Sequence, residues 1–306
     1  MKEYERIISK GILDANFLKA EEDCGFLVTT ERKKLWAVML DLIYEFDQVC
    51  KKHGLTYYAI YGSLLGAVRH KGFIPWDDDF DVAMPREDYE KFITLSDEFE
   101  DPYFLQTPST DKDYYYSFAK LRNTNTSGIV QMFKYSKMNQ GIWFSIFPLD
   151  RWDDNGGEER YLEIRKLVMH NSTFMRIDNP NLSQKDIERV EEWKKQHRDP
   201  MKDYEEIHRL ASSCKDPNSR HVMIAVITMG PYNRRVYNAE DFSSVVYLDF
   251  EGFKIPAPVG YHNLLSLWYG NYMEFPPVEA RGMDHADAIF DAEIPYTQYL
   301  ANEGIL

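Results

Sequence analysis

Between residues 31 and 49, apolar side chains recur at steps of three and four: Leu35, Met39, Leu42, Phe46 and Val49. That spacing puts them on one face of a helix, which Thr30 opens and Gly54 stops. The pattern then shortens. Residues 57–61 form a brief apolar run that predicts a strand ending in Gly62-Ser63, and residues 64–68 predict one or two helical turns. Pro75 fixes 72–76 as a loop. From Asp79 to Met84 polar and apolar positions alternate, the period of a strand with one buried face. Pro85 ends that strand, and 86–95 predict a helix with Tyr89, Phe92, Ile93 and Leu95 inward.

Further strands are expected at 103–106, 116–121 and 142–147. From 158 to 213 the character changes to long, charged, amphipathic helices, with Ser183 and Asp186 set as a capping box. Residues 245–255 return to a strand pattern, 258–269 predict a helix, and a Pro-rich, irregular tail follows. No internal repeat or low-complexity linker interrupts the chain. The organisation this predicts is an N-terminal extension (1–29), a mixed α/β catalytic core of the α+β kind (30–150), and a mostly helical portion (151–306) packed on the core.

Charge narrows the function. Asp and Glu number 50 against 36 Lys and Arg, a formal charge of -14. Such a field repels phosphate polymers, and no local basic stripe offsets it, so no nucleic-acid partner is expected. Cys24, Cys50 and Cys214 have neither disulfide nor zinc spacing, which suits a reducing compartment. The first residues lack the apolar stretch of a signal peptide, and the longest apolar run, 222–229, is too short for a transmembrane segment. The expected location is cytoplasmic, with docking at the inner face of the membrane left open.

The chemistry concentrates in residues 58–85. Asp77, Asp79 and Asp81 alternate with Asp78, Phe80 and Val82, so on an extended chain Asp79 and Asp81 converge on one side while Phe80 and Val82 face the core. Asp77 joins them if the extended geometry starts after Trp76. Carboxylates so crowded repel unless a cation sits between them, and hard oxygen ligands favour Mg²⁺ or Mn²⁺. An isolated run of Asp is ordinarily a solvated turn, but Phe80 and Val82 make this one half-buried. A helix–loop–helix calcium site is excluded, because Val82 stands where that loop needs its turn glycine. Gly62-Ser63 lets backbone N–H groups approach a phosphate at a helix start. Arg69 and Lys71, then Lys120 and Arg122 two apart on an expected strand, are candidates for the phosphates of a donor; solvated surface cations are the plain alternative for each. Trp76, residues 114–116, Tyr269 and Tyr272 are candidate aromatic faces for a ligand, with core packing as the simpler reading. Asp284-His285 reads as a solvated tail and His262 as structural. No nucleophile elbow, P-loop or dinucleotide fingerprint occurs.

The ordered string at 61–81, YGSLLGAVRHKGFIPWDDDFD, resembles the LicD family and the related fukutin-type proteins. Residues 119–122 (AKLR), 141–150 (GIWFSIFPLD) and Tyr269–Met273 with Pro276-Pro277 are similar to later family segments. The resemblance implies a nucleotidyltransferase-like fold. It also implies Mg²⁺- or Mn²⁺-assisted transfer of phosphocholine, or a similar phospho-alcohol, from a CDP-linked donor to a cell-surface glycan such as lipopolysaccharide, teichoic acid or capsule. On that basis Gly62 and Ser63 meet the donor, Asp79 and Asp81 hold metal, and Asp77 is a third catalytic member. One departure stands out: Ser145 occupies a position where the family usually carries a carboxylate. Either Asp77 or Asp150 substitutes, or activity is altered or lost. Nucleotidyl transfer from an NTP, or a binding protein of the same fold, are the alternatives.

Overall fold

The structure is a computed structural model that describes residues 1–153, 156–214, 216, 218–227, 236–282 and 285–306. A short helix, α1 (Arg6–Ser9), and a hairpin of β1 (Glu21–Asp23) and β2 (Phe26–Val28) lead into the long helix α2 (Thr30–His53). Thr29, one residue earlier than expected, caps α2: its hydroxyl accepts from the Arg32 N–H. Leu35, Met39, Leu42, Phe46 and Val49 are all buried. Gly54 ends the helix at φ 64°, a left-handed conformation natural to glycine. Ile7 and Val28 join the same core, so the N-terminal residues pack on α2.

The chain continues through β3 (Tyr58–Ala59), α3 (Tyr61–Arg69), β4 (Asp81–Pro85), α4 (Arg86–Phe92), β5 (Tyr103–Gln106), β6 (Ala119–Asn123), β7 (Ser127–Val130) and β8 (Ile142–Trp152). Three helices follow, α5 (Gly157–Phe174), α6 (Gln184–Lys195) and α7 (Pro200–Ala211), with Ser183 capping α6 through the Asp186 N–H. Then come β9 (His221–Met223), β10 (Val236–Asn238), β11 (Val245–Phe250), β12 (Phe253–Pro258), α8 (Tyr261–Tyr269), β13 (Ala288–Asp291) and α9 (Tyr296–Asn302). The stretch expected as one strand at 245–255 is a hairpin, β11 with β12. The expected irregular tail contains β13, which pairs with β7, a strand the periodicity did not reveal. Its short apolar stretch needs a distant partner to become regular.

The architecture is α+β around a mixed sheet. β8 is its axis, antiparallel to β6 and parallel to β4, with β9 continuing the antiparallel pairing at its far end. β3, β5 and β10 flank β4, β6 and β9. Alternation then decides the two faces. Val82, Met84, Leu121, Phe144 and Ile146 pack toward α2, where Phe46 meets Phe144 edge-on at 5.3 Å. On the opposite face Ala83, Phe147 and Leu149 pack with Ile164 and Leu167 of α5 and with Ile207 and Ala211 of α7. No helix among the described residues is long and apolar enough to cross a membrane.

Candidate active site

Where the second face is not covered by α5 and α7, it turns polar. Register places Asp81 of β4 beside Ser145 of β8, and Ser145 beside Lys120 of β6. Cross-strand partners share a face, so the three form a row. The strand begins at Asp81, two residues later than expected, because the buried Ser63 hydroxyl accepts the Asp81 N–H at 2.7 Å. Ser63 thereby fixes the start of β4, a task the sequence did not assign to it.

The row holds charge under strain. Burial pushes the Asp81 carboxyl well above the ordinary range, and the negative charge of Asp79 adds to this. His285, Lys120 and a hydrogen bond from Ser145 only partly oppose it. Lys120 is 8% exposed, and burial, then the neighbouring Arg122, hold its ammonium pKa well below the usual value. Its ammonium lies over Trp143 at 4.2 Å, with Tyr116 and Phe118 within 6 Å. No acceptor among the described residues takes a hydrogen bond from it.

Beside this row the chain at 77–80 is not yet a strand, and alternation fails there. Arg32 and the Trp36 indole N–H both donate to the Asp77 carbonyl, at 2.7 and 3.1 Å. The Asp77 carboxylate folds over α3: a Cβ on Gly62 would lie 2.6 Å from its Oδ2. Gly62 thus makes room for Asp77, whereas the sequence reading reserved that room for a phosphate. Asp78, which was not among the expected site residues, turns toward His285. It is buried, and its Oδ1 lies 3.2 Å from Nδ1 of His285. Asp79 Oδ2 is 3.9 Å from the same nitrogen. Asp78, Asp79 and His285 each offer a ligand atom, all within 4.8 Å of one another. Two carboxylates and an imidazole fit Mg²⁺ or Mn²⁺, and Asp81 stands outside that group, near enough for the charges of Asp79 and His285 to act on its carboxyl.

His285 corrects the tail reading. It packs edge-on against Trp143 at 5.3 Å and is carried in by the pairing of Ala288 with Val130. Asp284 lies outside the described residues. The only available signal was the His itself, 207 residues from Asp78.

The cations separate. Arg69 donates to the carbonyls of Tyr272 and Glu274 and lies over Phe275, so it braces the segment after α8. Lys71 is exposed and influences Asp249 on the β11–β12 hairpin. Arg122, pushed down to about 10 by burial, donates to Gln106 and to the Gly141 carbonyl. Both arginines expected at donor phosphates are therefore engaged elsewhere, and Lys120 alone of the four stands in the row with Asp81. Asp150 cannot replace the carboxylate missing at Ser145, because Arg86 holds both its oxygens, at 2.7 and 2.8 Å. Trp76 packs under Arg281, and the His262 ring contacts the Tyr272 hydroxyl at 2.6 Å as a structural pair.

Residues 54–176, from the end of α2 through β8 into α5, match the LicD/FKTN/FKRP nucleotidyltransferase domain. The chain is 26% identical over 267 residues to the lipopolysaccharide cholinephosphotransferase LicD of Haemophilus influenzae, a match spanning 81% of this chain and 93% of that one. Shorter matches reach uncharacterized proteins of Rickettsia typhi (35% over 71 residues, 23% of this chain and 22% of that) and Rickettsia prowazekii (30% over 101 residues, 31% and 38%). The domain match contains the acidic loop, Lys120 and Ser145, and the long match extends the likeness across most of the chain: residues 54–176 are similar to the LicD-type nucleotidyltransferase domain.

Proposed function

We propose that this protein transfers phosphocholine, or a similar phospho-alcohol, from a CDP-linked donor to a hydroxyl of a lipopolysaccharide-type glycan, in the cytoplasm or at the membrane's inner face. The observation that carries the reading is the acid–imidazole group of Asp78, Asp79 and His285 standing next to Asp81 and the buried, unbonded ammonium of Lys120. Opposite charges along one row of the sheet suit a phosphate ester held through a cation. The named Haemophilus relative supplies the head group and the acceptor class.

In this reading Asp78, Asp79 and His285, with Asp81 beside them, would hold Mg²⁺ or Mn²⁺, and the ion would supply positive charge for the phosphates and the leaving group. Lys120 contacts the transferred phosphoryl oxygens. The acceptor oxygen forms a bond to the distal phosphorus as the bond to CMP breaks, and CMP departs with the electron pair. Asp77, the carboxylate nearest α3, receives the hydroxyl proton in place of the side chain absent at Ser145.

The test is product analysis. Protein with Mg²⁺, CDP-choline and a lipopolysaccharide acceptor should release CMP and label the glycan, and EDTA should stop both. Pyrophosphate release from NTPs would replace this reading with nucleotidyl transfer. Mn²⁺ binding without turnover on any donor would mean that Ser145 marks a binding protein.

A further inference from the structure

The proposed head group is a quaternary ammonium ion, and the molecule's aromatic surfaces differ in their capacity to receive one. Four of the tryptophans are already capped by the protein's own cations: Trp36 by Lys33, Trp76 by Arg281, Trp143 by Lys120 and Arg122, Trp152 by Arg160. Trp193 packs against Phe174 and His170. Tyr114 is fully buried, and the Tyr272 hydroxyl is engaged with His262. Trp268 of α8 is different. It is half-buried, and no cation among the described residues lies over its ring. Its indole N–H is buried without an acceptor among them.

Trp268 also lies in the right place. Its ring centroid is 4.5 Å from that of Tyr61, the residue before Gly62, whose absent Cβ admits the Asp77 carboxylate. Tyr61 sits at φ 46°, a costly conformation for a bulky residue and one that turns up at ligand clamps. Buried Tyr237 braces both rings. Its hydroxyl is 3.0 Å from that of Tyr61, and its ring meets Trp268 edge-on at 5.6 Å.

We propose that Tyr61 and Trp268 form the wall that receives the quaternary ammonium of the donor's head group. This rests on the phospho-alcohol reading above and adds the head group's chemistry. A primary ammonium needs acceptors for its N–H groups, whereas a trimethylammonium has none to satisfy and is bound by aromatic faces. A wall already braced before the ligand arrives spends little ordering entropy on binding.

Calorimetry with Mg²⁺ and three ligands decides it: CDP, CDP-choline, and CDP-3,3-dimethylbutanol, in which carbon replaces the charged nitrogen. Wild type should bind the choline compound about 2- to 30-fold tighter than its neutral isostere. Trp268→Leu should erase that preference while CDP affinity stays within about twofold, and Trp268→Phe should keep part of it. Equal binding of the charged and neutral ligands by wild type overturns the inference whatever the variants do, including one that fails to fold. So does an undiminished preference in a folded Trp268→Leu protein. Failure of wild type to bind CDP at all would overturn the donor reading and this inference with it, whereas CDP binding without choline preference removes the inference alone.

Discussion

The two faces of the central sheet use one alternation for opposite ends. Toward α2, Val82, Met84, Leu121, Phe144 and Ile146 form a continuous apolar surface. Their immediate neighbours in the same strands, Asp81, Lys120, Trp143 and Ser145, present on the reverse a pair of opposite charges that burial disfavours. A few residues further along, Ala83, Phe147 and Leu149 restore apolar packing beneath α5 and α7. The polar stretch is therefore a local exception, held in place by a core one side chain away. Stability should depend on the first face and transfer on the second.

Substitutions can break or sharpen that division. The largest effect belongs to the apolar side: Phe144→Ala should cost about 3–5 kcal/mol of unfolding free energy, read by urea denaturation, with little change in turnover per folded molecule. Asp79→Ala should lower CMP release by more than about 100-fold, since even groups behind a metal's ligands are worth 10–100-fold. Its urea midpoint should hold, and full activity would reject the site. His285→Ala should weaken Mn²⁺ binding by about 10- to 100-fold in a titration; unchanged affinity would leave the imidazole a mere brace for Asp78. The smallest effect has the opposite sign. The fold raises the Asp81 carboxyl, so it disfavours the charged form, and stability falls as pH rises through that raised value. Without metal, Asp81→Asn should therefore melt a few degrees higher than wild type, with the gain growing from pH 5 to pH 8 and shrinking when Mg²⁺ is added. A lower melting temperature at neutral pH would mean that Asp81 contributes to cohesion after all.

The apolar face was legible because its information is local: α2 declares itself at steps of three and four, and Phe80 with Val82 marks the inner side of the acidic segment. The row of Asp81, Ser145 and Lys120 was half legible, since each residue was singled out but the register joining them is a property of three strands. Asp78 escaped notice because alternation singles out Asp77, Asp79 and Asp81, whereas the chain at 77–80 is not a strand and the Arg32 and Trp36 contacts turn it. Arg69 and Arg122 looked like phosphate ligands because charge is visible in a sequence and its use on backbone carbonyls is not. His285 was hidden by distance, since only the β7–β13 pairing brings it home.

That pairing has a consequence in time. At about 5–20 residues per second, the 207 positions between Asp78 and His285 mean that the acidic loop leaves the ribosome about 10–40 s ahead of its imidazole partner. The sheet and α2 can collapse in that interval, so a nascent chain becomes structured well before it is competent. If the proposed site is the working one, competence is a late checkpoint, passed only once the histidine has been translated.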